Sequence, residues 1–291
     1  VVAITAAMAD GTGLKRFRNL FPERFYDVGI AEAHAVTFAA GLAASGLTPV
    51  VAVYSSFLQR AYDQILHDVC LQDLHVVFAI DRAGLVGSDG ETHQGIFDIS
   101  YLGTIPNMTE MAPKNKWELS DMMKFAVDFS GPIALRYPRG TAYDGLRDYR
   151  ESIQYGKSET IFEEEELILF ACGSMVEVAE RVHEKLKTLG HPSTLINARF
   201  MKPFDAERLR ELKEHHRFLV TLEENVLTGG FGERITEFVE QEELPYRVLN
   251  VAIGDVYVEH GNVDILKRET GLDADSIVSR IRRECYGEDP S

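Results

Sequence analysis

Basic residues are the scarce class in this sequence: 30 Lys and Arg stand against 46 Asp and Glu, a formal net charge of −16 at pH 7. That deficit argues against nucleic acid or an anionic membrane as the main partner, and leaves room only for local basic sites that hold a small phosphate. Cysteine is scarce too. Cys70, Cys172 and Cys285 are widely spaced, which argues against disulfides and a zinc cluster and fits a reducing compartment, with the cytoplasm as the expectation. No apolar run reaches the roughly 18 residues of a membrane span, and the N-terminus lacks the basic-then-apolar layout of a signal peptide. No Gly-Asp-Gly occurs anywhere, and no initiator Met precedes Val1. The strand-like start Val1–Thr5 leads us to expect a piece cut from a longer polypeptide, or a processed chain.

What is present is enough for two cores. The 291 residues are 45% hydrophobic and 26% charged, which suits roughly two globular domains. Strand-like runs at Val1–Thr5, Arg24–Val28, Pro49–Tyr54, His75–Asp81, Met108–Ala112 and Pro132–Tyr137 alternate with helical patterns, which predicts a mainly parallel sheet covered on both faces. Around Arg139 to Gly156 the pattern lapses into Gly, Pro, Tyr and charges. Beyond it, Leu167–Ala171, Ser193–Ala198, Phe218–Leu222 and Tyr246–Val251 alternate with helices at Met175–Leu189, Ala206–His215 and Gly232–Gln241. The expectation is α/β throughout, as two doubly wound domains: residues 1–140, a linker at 141–155, a smaller domain at 156–285, and a loose tail at 286–291.

Four stretches carry chemistry. Phe25 to His34 places Glu32 in the first turn of an Ala-rich helix just past a strand, at the edge where open α/β sheets bind ligands. Taken alone, such an acid is most simply a complement to the helix dipole. Ala83 to Gly95, Ala-Gly-Leu-Val-Gly-Ser-Asp-Gly-Glu-Thr-His-Gln-Gly, follows another strand and is framed by Arg82; four glycines with Asp89, Glu91 and His93 make a poor core segment. Tyr54 to Gln64 leaves a Val-rich strand and enters a helix, with Tyr54 and Phe57 as core residues or as walls of an apolar pocket. Arg136 and Arg139 flank a strand end, where they are either solvated or hold a phosphate or carboxylate.

Taken together, these stretches carry a family likeness. Asp27-Val28-Gly29-Ile30-Ala31-Glu32-Ala33-His34, Tyr54-Ser55-Ser56-Phe57-Leu58-Gln59-Arg60-Ala61-Tyr62-Asp63, the loop Asp81 to Gly95 and Tyr137-Pro138-Arg139-Gly140 resemble the 1-deoxy-D-xylulose-5-phosphate synthases. Asn197-Ala198-Arg199-Phe200-Met201-Lys202-Pro203 and Glu223-Glu224-Asn225-Val226-Leu227-Thr228-Gly229-Gly230-Phe231-Gly232 extend the resemblance to essentially the whole chain. Phe57-Leu58-Gln59-Arg60 and Arg82-Ala83-Gly84 favour this synthase over transketolase.

The resemblance implies a thiamine diphosphate enzyme that joins pyruvate to glyceraldehyde 3-phosphate with loss of carbon dioxide. It implies a transketolase-type pyrimidine-binding domain followed by a transketolase-type C-terminal domain. Glu32 would be the catalytic carboxylate at the pyrimidine, with Tyr54, Phe57 and Arg60 binding that end of the cofactor. Asp89 and His93 would face the reacting carbons, as proton-handling or hydroxyl-orienting groups. Arg82 and Arg139 would bind the acceptor phosphate, and Arg136 is a weaker candidate that also fits as support for the strand end. The family's Gly-Asp-Gly motif for magnesium and diphosphate belongs to an N-terminal domain, so no metal site is expected here. That missing domain and a second copy, in a homodimer, are the expected protein partners, and the chain alone is expected to be inactive. A split transketolase or a 2-oxoacid dehydrogenase β-type subunit is the alternative reading, and a non-catalytic α/β interaction module is another.

Overall fold

A computed structural model describes residues 1 to 288 and divides them between two sheets. In the first unit the strands are β1 (Val2–Thr5), β2 (Phe25–Asp27), β3 (Pro49–Tyr54), β4 (Val77–Asp81), β5 (Thr109–Met111) and β6 (Ile133–Arg136). They run parallel in the order β5-β6-β4-β3-β1-β2. The helices between them are α1 (Lys15–Leu20), α2 (Glu32–Ala44), α3 (Ser55–Leu58), α4 (Tyr62–Gln64), α5 (Asp98–Gly103) and α6 (Lys116–Asp128). Strands such as Pro49-Val50-Val51-Ala52-Val53-Tyr54 carry apolar residues on both faces, which is stable only when both faces are covered. α2 forms because Ala is the best helix former, and its small Ala35, Val36, Ala39 and Ala40 pack closely against Ile4, Val51, Val53 and Phe78.

The second unit has strands β7 (Glu159–Phe162), β8 (Glu166–Ala171), β9 (Ser193–Asn197), β10 (Phe200–Lys202), β11 (His216–Val226) and β12 (Arg247–Ile253). Its helices are α7 (Met175–Thr188), α8 (Ala206–Leu212), α9 (Phe231–Gln241), α10 (Val263–Glu269) and α11 (Ala274–Ile281). Five of the strands make a sheet in the order β12-β11-β8-β9-β7, parallel except for the edge strand β7. The sixth leaves its own unit: β10 pairs antiparallel with β5 and becomes the seventh strand of the first sheet.

Three departures from the sequence reading have physical causes. β10 is three residues long and pairs with a strand far away in the chain, so no local pattern announces it. β11 runs four residues past the expected end at Leu222, through buried Glu223, Glu224 and Asn225, whose polarity disguises a buried strand. Residues 286–288, expected to be loose, are packed: the Tyr286 ring stacks on His191 with centroids 3.9 Å apart and Glu288 accepts from Arg282 and His191. The remainder of that expected tail, residues 289–291, lies outside the described residues. Residues 141–155 hold no helix or strand, yet Leu146 is buried and the backbone of Tyr143 and Gly145 accepts from Lys116 and Asn115.

Candidate active site

Parallel strands deliver their following residues to one edge of the sheet. β2, β3, β4 and β6 therefore send Glu32, Tyr54, Arg82 and Arg139 to the same carboxyl edge. β2 lies on one side of β1 and β3 on the other, so the chain reverses its course across the sheet there, the position at which open α/β sheets form a crevice.

Glu32 opens α2 with a side chain only 3% exposed. Its Oε1 accepts from Arg60 Nη1 at 2.7 Å, and no hydrogen bond to its other oxygen occurs among the described residues. The Arg60 guanidinium lies 4.9 Å from the Phe57 ring centroid, and Phe57 packs edge-on to His93 at 5.1 Å. Phe57 also meets Tyr54 at 5.7 Å, and Arg82 stacks over Tyr54 at 3.8 Å. Arg82 and Arg139 then converge on one atom, Asp89 Oδ2, at 3.3 Å and 2.6 Å. The eight candidates thus form an unbroken chain of contacts, from a buried carboxylate at one end to a pair of guanidiniums at the other. His93 lies on the aromatic side, its Nδ1 2.9 Å from Thr92 Oγ1. Asp89 lies on the cationic side, engaged by both arginines.

The local backbone is shaped for this. Arg82 has φ +59, a left-handed conformation that costs a non-glycine residue of order 1 kcal/mol or more and persists only where its surroundings impose it. Tyr54 is overlaid by Gly11, where an added Cβ would lie 1.7 Å from the Tyr54 hydroxyl. Arg136 takes the supporting role: it is 5% exposed and donates to both oxygens of Asp98, to Gly95 O and to Glu224 O. Its guanidinium is spent on internal partners, so it drops out as an anion ligand.

A cleft of about 560 Å³ opens beside the arginines. Gly11, Asp81, Arg82, Tyr137 and Arg139 line it from the first unit, and Ser174, Glu224 and Lys267 from the second. Burial pushes the Asp81 carboxyl up to about 6 despite the opposing pull of Arg82. No site role for Gly11, Asp81, Glu224 or Lys267 follows from the sequence, although Asp81 and Glu224 lie in segments that carry the family resemblance. Only Glu224 carried a local signal, two successive acids inside an apolar run. Among the described residues no group of three or more His, Cys, Asp or Glu could hold a metal ion, and no helix is long and apolar enough to cross a membrane.

Residues 1–143 match the family model described as transketolase, pyrimidine binding domain, and residues 156–277 match transketolase, C-terminal domain. A 1-deoxy-D-xylulose-5-phosphate synthase of Lachnoclostridium phytofermentans is 59% identical over 98% of this chain, and that of Aquifex aeolicus is 50% identical over 99%. The chain belongs to the transketolase-like 1-deoxy-D-xylulose-5-phosphate synthase family. It spans about half the length of these relatives, 46% of each. Among solved structures, one titled "Split gene transketolase, inactive beta4 tetramer" is 27% identical with a TM-score of 0.88, covering 97% of this chain and 91% of its own. A Campylobacter jejuni transketolase, 17% identical with a TM-score of 0.80, matches 96% of this chain with 43% of its own and speaks for the fold alone. The two matches follow the two sheets except at β10, which lies in the second match and joins the first sheet, and the gap between the matches falls within the unpatterned stretch 141–155.

Proposed function

We propose that this chain forms the pyrimidine-binding and acceptor-binding part of a thiamine diphosphate-dependent synthase. The reaction joins pyruvate to D-glyceraldehyde 3-phosphate, releasing carbon dioxide and giving 1-deoxy-D-xylulose 5-phosphate. The observation that carries the reading is the run of contacts from buried Glu32 to the Arg82–Arg139 pair along one sheet edge. A synthase of this kind needs a carboxylate at the cofactor and a cationic pair at the far end of its acceptor, and both are on that edge.

The residues fit the pyrimidine end of the cofactor. Glu32 keeps an oxygen that no described residue engages, and Arg60, which donates to its other oxygen, lies over Phe57, the neighbour of Tyr54. Bound thiamine diphosphate supplies the electron sink for decarboxylation and carbon–carbon bond formation. Glu32 holds the proton relay at N1′ of the pyrimidine, and Arg60 orients its carboxylate. Arg82 and Arg139 hold the acceptor phosphate through charge-assisted hydrogen bonds, taking it in place of Asp89. Asp89, once released, and His93 orient the acceptor hydroxyl and handle protons near the reacting carbons. The diphosphate and magnesium are held by an N-terminal domain outside these residues, so the chain alone is inactive. A cytoplasmic homodimer completes the reading. A split transketolase subunit has weaker support, resting on 27% identity against 50–59% for the synthases, and an interaction module has no use for Glu32 and the arginine pair together.

The test is Glu32→Gln in the complete enzyme. Loss of the relay should cut turnover roughly 100-fold or more, while stability falls by no more than about 2 kcal/mol, since Gln keeps the shape and an oxygen that accepts from Arg60. Near-normal product formation, measured directly as the phosphorylated ketose, would return Glu32 to a helix-dipole role.

A further inference from the structure

The loop that carries Asp89 and His93 is fastened to the second unit as well as to its own. Leu85 and Ile96, 3% and 1% exposed, are buried in the same apolar cluster as Leu169, Val226 and Val258 of the second sheet and its surroundings. Between them the backbone and side chains cross over repeatedly. Gly261 N donates to Gly87 O at 3.3 Å, Val226 N to Ile96 O at 2.9 Å, and Gln94 Nε2 to Glu259 O at 2.9 Å. Gln94 turns back within the loop through its Oε1, which accepts from Val86 N at 2.7 Å.

Glu224 sits at the root of this arrangement. Its side chain is 3% exposed, and Oε1 accepts from Leu85 N at 3.1 Å. Oε2 accepts from Ser174 Oγ and lies 4.0 Å from Lys267 Nζ, so its charge is answered from within the second unit. Gly84, at φ +82, makes the approach possible: a Cβ there would stand 2.7 Å from the Glu224 carboxyl carbon. The backbone carbonyl of Glu224 also accepts from Arg136, which is bound to Asp98, and Asp98 accepts from Ser55 next to Tyr54. One residue of the second unit therefore contacts the start of the Asp89 loop and the strand end before Arg139.

We propose that Glu224 is a positioning residue for the acceptor end of the site: it fixes the start of the loop through Leu85 N–H, and so sets where Arg82, Asp89 and Arg139 meet. The second unit supplies none of the eight candidate site residues, and this gives it a part in acceptor recognition. The consequence for the acceptor rests on the function proposed above; the fastening of the loop does not.

The two parts are tested separately, in the complete enzyme. Amide hydrogen exchange should rise at Leu85 to Gln94 in Glu224→Ala, with the strands of both sheets unchanged, and Glu224→Gln should restore protection because its carbonyl still accepts from Leu85 N–H. Unchanged exchange in Glu224→Ala, or an equal rise across the sheets, would overturn the positioning role whatever the reaction is. For the acceptor, the KM for glyceraldehyde 3-phosphate should rise at least about tenfold in Glu224→Ala, with the KM for pyruvate within about twofold, and Glu224→Gln should lie near wild type. Loop exchange that rises with no change in either KM would overturn the acceptor part. If wild type makes no product from the two substrates, the functional reading fails, and the exchange data still judge Glu224.

Discussion

Arg82 and Arg139 come from different strand ends, yet both donate to Oδ2 of Asp89. A carboxylate shared this way keeps two like charges together, and under the proposed function a phosphate oxygen would take its place. Arg139 is the better residue to remove, because Arg82 also stacks on Tyr54 and its loss would disturb the aromatic wall. Arg139→Ala in the complete enzyme should raise the KM for glyceraldehyde 3-phosphate roughly 10- to 100-fold, the equivalent of one charge-assisted contact. The KM for pyruvate should stay within a factor of about two; equal rises in both would remove the arginine pair from acceptor binding. That Arg82 and Arg139 share one sheet edge is legible in the sequence because both follow strand candidates, whereas the role proposed for them comes from the family resemblance. The parts of Gly11 and Asp81 are not legible, since a glycine under a tyrosine or an acid in a cleft has meaning only through partners brought from elsewhere in the chain.

At the level of elements, apolar strands are the most legible in the sequence, and buried charge hides β7 and the end of β11. β3 and β4 read as unbroken apolar runs, whereas β7 holds Glu159 and β11 ends in Glu223-Glu224-Asn225; β5 is legible in the run Met108–Ala112 although it holds buried Glu110. Glu110 sets a pH dependence. It is 2% exposed on β5, opposite Lys202 of β10 in register, and its nearest cation, Arg234 Nη2, is 3.6 Å away, too far for a hydrogen bond. Burial therefore pushes its carboxyl from 4.5 up to about 7, against the pull of Arg234 and Lys202. Between those two values the native state keeps a proton that the unfolded chain has released, so stability falls as pH rises through that window and levels off above it. Glu223 is pushed up to about 7 by burial in the same way and adds a slope of the same sign. Glu110→Gln imitates the protonated side chain. In urea titrations from pH 5.5 to 8, the variant should lose part of the fall in midpoint and be the more stable protein at pH 8. Identical midpoint curves for the two proteins would show that Glu110 carries no such linkage.

Two separate sheets suggest two folding units, but the whole molecule is stitched across the seam in a way composition does not reveal. Lys114 and Glu118 of the first unit meet Glu159, Asn197 and Arg199 of the second in a cluster whose four charged side chains are each at most 3% exposed. Arg199 is its centre, with Nε 2.8 Å from Glu118 Oε1 and Nη2 2.8 Å from Glu159 Oε1, and with further bonds to the carbonyls of Glu151 and Ser152. Two carboxylates balance two cations there, so the cluster is tolerable when complete and costly when one member is lost. A few residues on, β10 adds a strand of the second half to the first sheet. With both ties in place the units should unfold as one. Trp117, the chain's single tryptophan, stands beside Glu118 in α6, so its fluorescence follows the first unit while far-UV circular dichroism follows both. The two signals should trace one coincident urea transition in wild type. Arg199→Met leaves two buried carboxylates with a single Lys114 between them and should cost roughly 3–5 kcal/mol. Non-coincident transitions in wild type, or a loss below about 1 kcal/mol in Arg199→Met, would mean that the seam is only a contact and that each sheet stands on its own core.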